Sequence, residues 1–114
     1  MIAVIFEAFP TAGQWEHYLD LAARLRPELS TIEGFISIER FQSITHPEKV
    51  LSLSFWKDEA SIRQWRNVEL HRMAQAEGRK SVFADYRLRI AEVQRDYGMT
   101  DRTQAPDDSK SIHH

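Results

Sequence analysis

The chain predicts an α+β fold in which a four-stranded antiparallel sheet is backed by two helices in the order β-α-β-β-α-β. Three observations carry that expectation. Segments rich in β-branched and aromatic residues open and close the apolar part of the chain, a period-2 pair of segments flanks His46-Pro47-Glu48, and two helix-period segments lie between these strands.

Ile2-Ala3-Val4-Ile5-Phe6-Glu7-Ala8-Phe9 suits a pleated surface, and Pro10 then withholds the N–H that a ladder needs. Thr11 is a candidate N-cap for a helix in which Trp15, Tyr18, Leu19, Ala22, Leu25 and Leu29 recur at helical spacing. Pro27 predicts an end or a kink near Arg26. Gly34 punctuates the chain before Phe35-Ile36-Ser37-Ile38-Glu39-Arg40-Phe41, which pairs as a hairpin with Val50-Leu51-Ser52-Leu53-Ser54-Phe55-Trp56. Leu51, Leu53 and Phe55 share one face of the second of these strands and Ser52, Ser54 and Trp56 the other, so Trp56 ends the strand on the more polar face.

Asp58 is a credible N-cap for the second helix. Its large apolar residues do not form one stripe, because Ile62 and Trp65 point one way and Leu70 and Met73 another, which predicts a break near Asn67. A helical piece starting there puts His71, Ala74, Gln75 and Gly78 on one face. The last strand is expected over 82–93, with Tyr86, Leu88 and Ile90 opposed to Arg87, Arg89 and Ala91. Residues 1–97 therefore form the folded domain, and 98–114 are expected to be a polar, flexible tail whose ordering entropy exceeds any gain from burial.

Composition narrows the function classes. A chain of 114 residues with 42% hydrophobic and 28% charged content fits one domain. The 15 basic and 17 acidic residues are interspersed, giving a formal charge of −2 and no electrostatic footprint for nucleic acid. Without cysteine there is neither a disulfide framework nor a thiolate metal site, and no segment has membrane-spanning length or leader character. A cytoplasmic location is the expectation. His113-His114 lack a rigid scaffold, so no metal is expected. Two helices on one side leave the other sheet face bare, and a contiguous apolar patch of that size predicts a homodimer.

Beyond these patterns, the chain resembles the antibiotic biosynthesis monooxygenase (ABM) superfamily. The resemblance spans Met1 to Tyr97. It rests on the element order together with Ile32-Glu33-Gly34-Phe35, Ser54-Phe55-Trp56-Lys57-Asp58-Glu59-Ala60, Trp65, His71-Arg72-Met73-Ala74-Gln75 and Gly78-Arg79. It implies a ferredoxin-like domain that pairs into a dimeric α/β barrel, with a small cavity between the sheet and the helices of each subunit.

The activity implied is a cofactor-independent monooxygenase acting on an aromatic, polyketide-type or quinol substrate. The alternatives on the same fold are a non-catalytic ligand-binding or interaction module and a haem-binding or haem-degrading protein. The haem-degrading branch uses an Asn on strand one, where this chain offers Glu7, and a longer spacing than that from Trp65 to His71.

A cofactor-free oxygenase has to bind a planar ring in a dry pocket, take a phenolic or enolic proton and stabilise the anion that results. His71 is the candidate base, Trp56 and Trp65 are candidate aromatic walls, Arg87 and Arg89 candidate oxyanion partners, and Tyr86 a candidate hydroxyl donor. The competing structural expectation places Trp65 in the core or at a dimer contact and pairs Arg87 and Arg89 with Glu39 or Glu92 on an exposed face.

Overall fold

The structure is a computed structural model that describes the backbone of residues 1–77 and 82–112 and the side chains of 1–68 and 82–109. Its elements are β1 (Ile2–Pro10), α1 (Trp15–Leu29), β2 (Phe35–Gln42), β3 (Val50–Trp56), α2 (Glu59–Glu77), β4 (Phe83–Glu92) and a short α3 (Asp107–Ile112). The strands lie in the order β2-β3-β1-β4 with every neighbouring pair antiparallel, which is the ferredoxin-like arrangement.

Both helices differ locally from the sequence expectation. Thr11 does not cap α1: its carbonyl accepts the Gln14 N–H at 2.8 Å in a turn, and the helix starts beyond it. Pro27 sits within the last turn and the helix runs on to Leu29. The C-terminal carbonyls are met by side chains, since Ser30 Oγ donates to Pro27 O at 2.9 Å and Thr31 Oγ1 to Glu28 O at 2.7 Å.

No break occurs in α2 at Asn67. The segment 67–77 holds no glycine or proline and is rich in Glu, Leu, Arg, Met, Ala and Gln, so backbone propensity carries the helix past the point where the apolar stripe changes direction.

The start of α2 follows the sequence reading. Asp58 Oδ1 accepts the Ser61 N–H at 3.0 Å and faces the Ser61 hydroxyl at 2.8 Å. The Ser61 amide, followed by its hydroxyl, holds the Asp58 carboxyl below the usual carboxylate range. Ser61 Oγ also reaches Glu33 O at 2.7 Å, tying the helix start to the loop that enters β2.

The sheet decides which face of β3 is covered, and it is the more polar one. Val50, Ser52, Ser54 and Trp56 form its buried row, opposite Ala8, Phe6, Val4 and Ile2 of β1, and this row faces the helices. Leu51, Leu53 and Phe55 are only half-buried and belong to the open face. The serines are tolerated inside for two reasons. Ser54 Oγ accepts the Trp56 indole N–H at 2.9 Å, and both serines border a cavity rather than tightly packed hydrocarbon.

The core divides into two clusters on the helix side. One gathers Leu25, Leu29, Ile32, Trp56, Ile62 and Trp65, the other Ala8, Tyr18, Leu21, Val50 and Val82. The helices do not cover β4. Tyr86, Leu88 and Ile90, which register with Ala8, Phe6 and Val4, stay 60%, 46% and 39% exposed. After β4 the chain gathers around Arg102, whose guanidinium donates to Gly98 O at 3.0 Å and Ser109 O at 3.1 Å and lies 5.2 Å from the Tyr97 ring centroid. Among the described residues, no helix is long and apolar enough to cross a membrane.

Candidate functional site

A cavity of about 90 Å³ opens where the two core clusters part. Val4 and Phe6 of β1 and Ser52 and Ser54 of β3 form its floor, and Leu21, Ala22 and Leu25 of α1 and Ile62 and Trp65 of α2 form its roof. Ile38 and Arg40 of β2 and Phe83 of β4 border it at the sides, and Arg66 joins from α2. The space exists because small residues meet there: alanine at 22 and serines at 52 and 54 stand where larger side chains would close the core.

Its polar groups are few and converge from separate elements. Arg40 is half-buried, lies opposite Ser52 in the β2–β3 register, and donates from Nε to Tyr18 Oη at 3.3 Å. Tyr18 is itself buried on α1. Arg66 is exposed and so marks the mouth. Among the described residues, the ionisable side chains lining the cavity are Tyr18, Arg40 and Arg66, with no carboxylate or imidazole. No group of acidic or histidine side chains suited to a metal ion occurs among the described residues.

The residues singled out from the sequence fall in different places. Trp65 lines the cavity. Trp56 does not. It is fully buried one layer behind, stacked on Trp65 with centroids 6.5 Å apart and edge-on to Phe35 at 5.3 Å, because the inward row of β3 carries it into the core. Tyr86 is exposed but touches two cavity residues, with ring centroids 5.6 Å from Phe6 and 6.0 Å from Phe83.

Arg87 and Arg89 register with Glu7 and Ile5 and so occupy the open sheet face, away from the cavity. Arg89 pairs with Glu7 rather than with Glu39 or Glu92, and Lys49 meets the same carboxylate. The hydrogen bond from Lys49, with Arg89 adding to it, holds Glu7 below the ordinary carboxylate range. Glu7, on the strand where the haem-degrading branch carries Asn, therefore turns away from the cavity. The side chain of His71 lies outside the described residues, as does His113-His114.

Sequence reasoning missed Arg40, Tyr18, Arg66 and the two serines. The one available signal was alternation, since Arg40 shares its β2 face with Ile38 and the serines share theirs with Trp56.

The chain can now be set beside known proteins. The family model described as antibiotic biosynthesis monooxygenase matches residues 1–77. A curated relative, the jasmonate monooxygenase ABM of Pyricularia oryzae, is 50% identical over 93 residues, which cover 82% of this chain and 43% of that protein. The chain thus spans less than half the length of that relative.

Among solved structures, Rv0793 of Mycobacterium tuberculosis is similar with a TM-score of 0.71 at 12% identity, covering 85% of this chain and 98% of that one. SnoaB, a cofactor-independent oxygenase of Streptomyces nogalater, gives 0.68 at 8% identity, covering 83% and 94%. At such identities these two speak for the fold. Element order, sheet topology and the match over residues 1–77 agree: the chain belongs to the antibiotic biosynthesis monooxygenase family.

Proposed function

We propose that the chain is a small monooxygenase that holds a largely apolar organic molecule between sheet and helices and inserts oxygen from dioxygen without a bound cofactor. The carrying observation is the 50% identity to a jasmonate monooxygenase over nearly the whole folded domain. The cavity supports it, with apolar walls drawn from five elements and a few hydrogen-bonding groups converging on it.

The substrate is a ring ketone, phenol or quinol, because dioxygen needs an electron-rich partner when no cofactor supplies electrons. A carbon made acidic by a neighbouring carbonyl loses a proton, the carbanion passes one electron to dioxygen, and the radical pair closes to a peroxide. Loss of water then leaves a carbonyl, so a methylene group and one dioxygen become a carbonyl group and one water, with all four electrons drawn from the substrate.

The protein's share is electrostatic and steric. Leu21, Leu25, Ile62 and Trp65 keep water from the anion, and the Ser52 and Ser54 hydroxyls on the cavity floor offer donors where oxyanion charge develops. His71 is the proposed base. Incubating the purified chain under ¹⁸O-labelled dioxygen with jasmonate, quinols and anthrones, without added reductant, should yield a product carrying one ¹⁸O atom by mass spectrometry. Unlabelled substrate throughout the panel would overturn the oxygenase reading, and labelling that appears only with an added reductant would overturn cofactor independence.

The same reading pairs two copies through their open sheet faces, where Ile5, Phe41, Leu51, Leu53 and Phe55 present apolar surface. Sedimentation should give twice the mass of the chain, and Leu53→Asp, at the middle of that face, should shift the population to single chains. A monodisperse single-chain species in the unsubstituted protein would refute the pairing.

A further inference from the structure

We infer that the cavity selects an apolar molecule bearing one carboxylate, whose acid group is gripped by Arg40 with Arg66 at the mouth and the Tyr18 hydroxyl alongside. This rests on reading the cavity as the substrate site, and it names the class of substrate that the site takes.

Arg40 carries the argument. A guanidinium is always charged and presents five N–H donors in a fixed fork. Here it is half-buried beside apolar walls, where a charge is costly unless paired. Its single hydrogen bond among the described residues runs from Nε to a neutral phenol, at 3.3 Å. Both terminal nitrogens are left for a planar two-oxygen anion.

The second cation points the same way. Arg66 borders the same cavity and has no acidic partner among the described residues. Glu39, adjacent to Arg40 in sequence, registers with Leu53 of the open face and so alternates away. Other cations of the chain do find carboxylates, as Arg24 with Asp20 and Lys49 and Arg89 with Glu7.

A guanidinium with free terminal donors inside a hydrocarbon-walled space, and a second one on its border, match an amphiphile with one negative end. A neutral guest would leave Arg40 without a counter-charge among the described residues. The anchor also fixes direction: with the acid at Arg40, the body of the guest lies toward Leu25, Ile62 and Trp65.

The test reads binding, not turnover. Trp65 lines the cavity and Trp56 stacks behind it, so tryptophan fluorescence follows occupancy. Titrations with 3-phenylpropanoate, cyclopentylacetate and hexanoate are compared with those of the three methyl esters at fixed ionic strength. The acids should bind about tenfold tighter than their esters. Arg40→Met should bring each acid down to its ester, Arg40→Lys should recover part of the preference, and Arg66→Met should have a smaller effect because its charge is solvated. Equal binding of acids and esters by the unsubstituted chain overturns the proposal, even if Arg40→Met fails to fold. So does a preference that survives in a folded Arg40→Met. Oxygen incorporation into neutral substrates with no acid preference would leave the oxygenase reading standing and remove this one, whereas an acid preference with no labelled product would do the reverse.

Discussion

Trp56→Ala should lower the stability of the domain by about 3–5 kcal/mol, the range for deleting a large aromatic from a packed interior. Trp56 is the largest fully buried side chain in the described core, set between Phe35 and Trp65. Against a typical total of about 5–15 kcal/mol the loss is severe. The indole N–H adds a second component. Trp56→Phe keeps most of the ring packing but leaves Ser54 without its donor, and should cost about 1–2 kcal/mol. Urea unfolding followed by circular dichroism checks both, and an alanine variant within about 1 kcal/mol of the parent would contradict the burial described here.

Gly34→Ala should be almost as damaging, at about 2–4 kcal/mol, through backbone and contact together. The residue has φ +96°, a conformation that costs any side chain, and an added Cβ would overlap both Oγ and Cβ of Ser61. Ser61 has little room to yield, because its hydroxyl serves Glu33 O and Asp58 Oδ1 and its amide belongs to the cap of α2. Gly13 provides the comparison. Its φ is +82° but nothing lies within 4 Å of a new Cβ, so Gly13→Ala should show the backbone cost alone, about 1 kcal/mol. Thermal and urea midpoints that fall equally in the two variants would remove Ser61 from the account.

These two positions show what local sequence could convey. Gly34 was readable as punctuation and Asp58 as a cap because both effects act within a few residues. The succession of elements along the chain, the hairpin and the bounds of β3 are readable for the same reason, since period-2 patterning is local. The side of β3 that faces the helices is not. Alternation separates Leu51, Leu53 and Phe55 from Ser52, Ser54 and Trp56 without saying which set is covered.

Arg87 and Arg89 inherited the same ambiguity from β4. The Arg40–Tyr18 contact joins residues 22 apart on different elements and has no local signature at all. Of the cavity lining, only Trp65 stands out from the sequence as a site residue, through the chemistry of its indole rather than through periodicity. In the continuous α2, helix-forming composition outranks the change in direction of the apolar stripe.

Glu7, bridged by Lys49 and Arg89 amid hydrocarbon, limits what can settle on that side of the sheet. A purely oily covering would strand three ionised groups away from water and forfeit more solvation than the contact returns. Alignment of any lasting cover is therefore dictated by the trio, which must stay at a wetted margin or meet matching dipoles. Because its carboxyl ionises more readily than usual, the trio persists at neutral pH and dissolves only as acid titrates Glu7, when two uncompensated cations remain and the permitted alignment is lost.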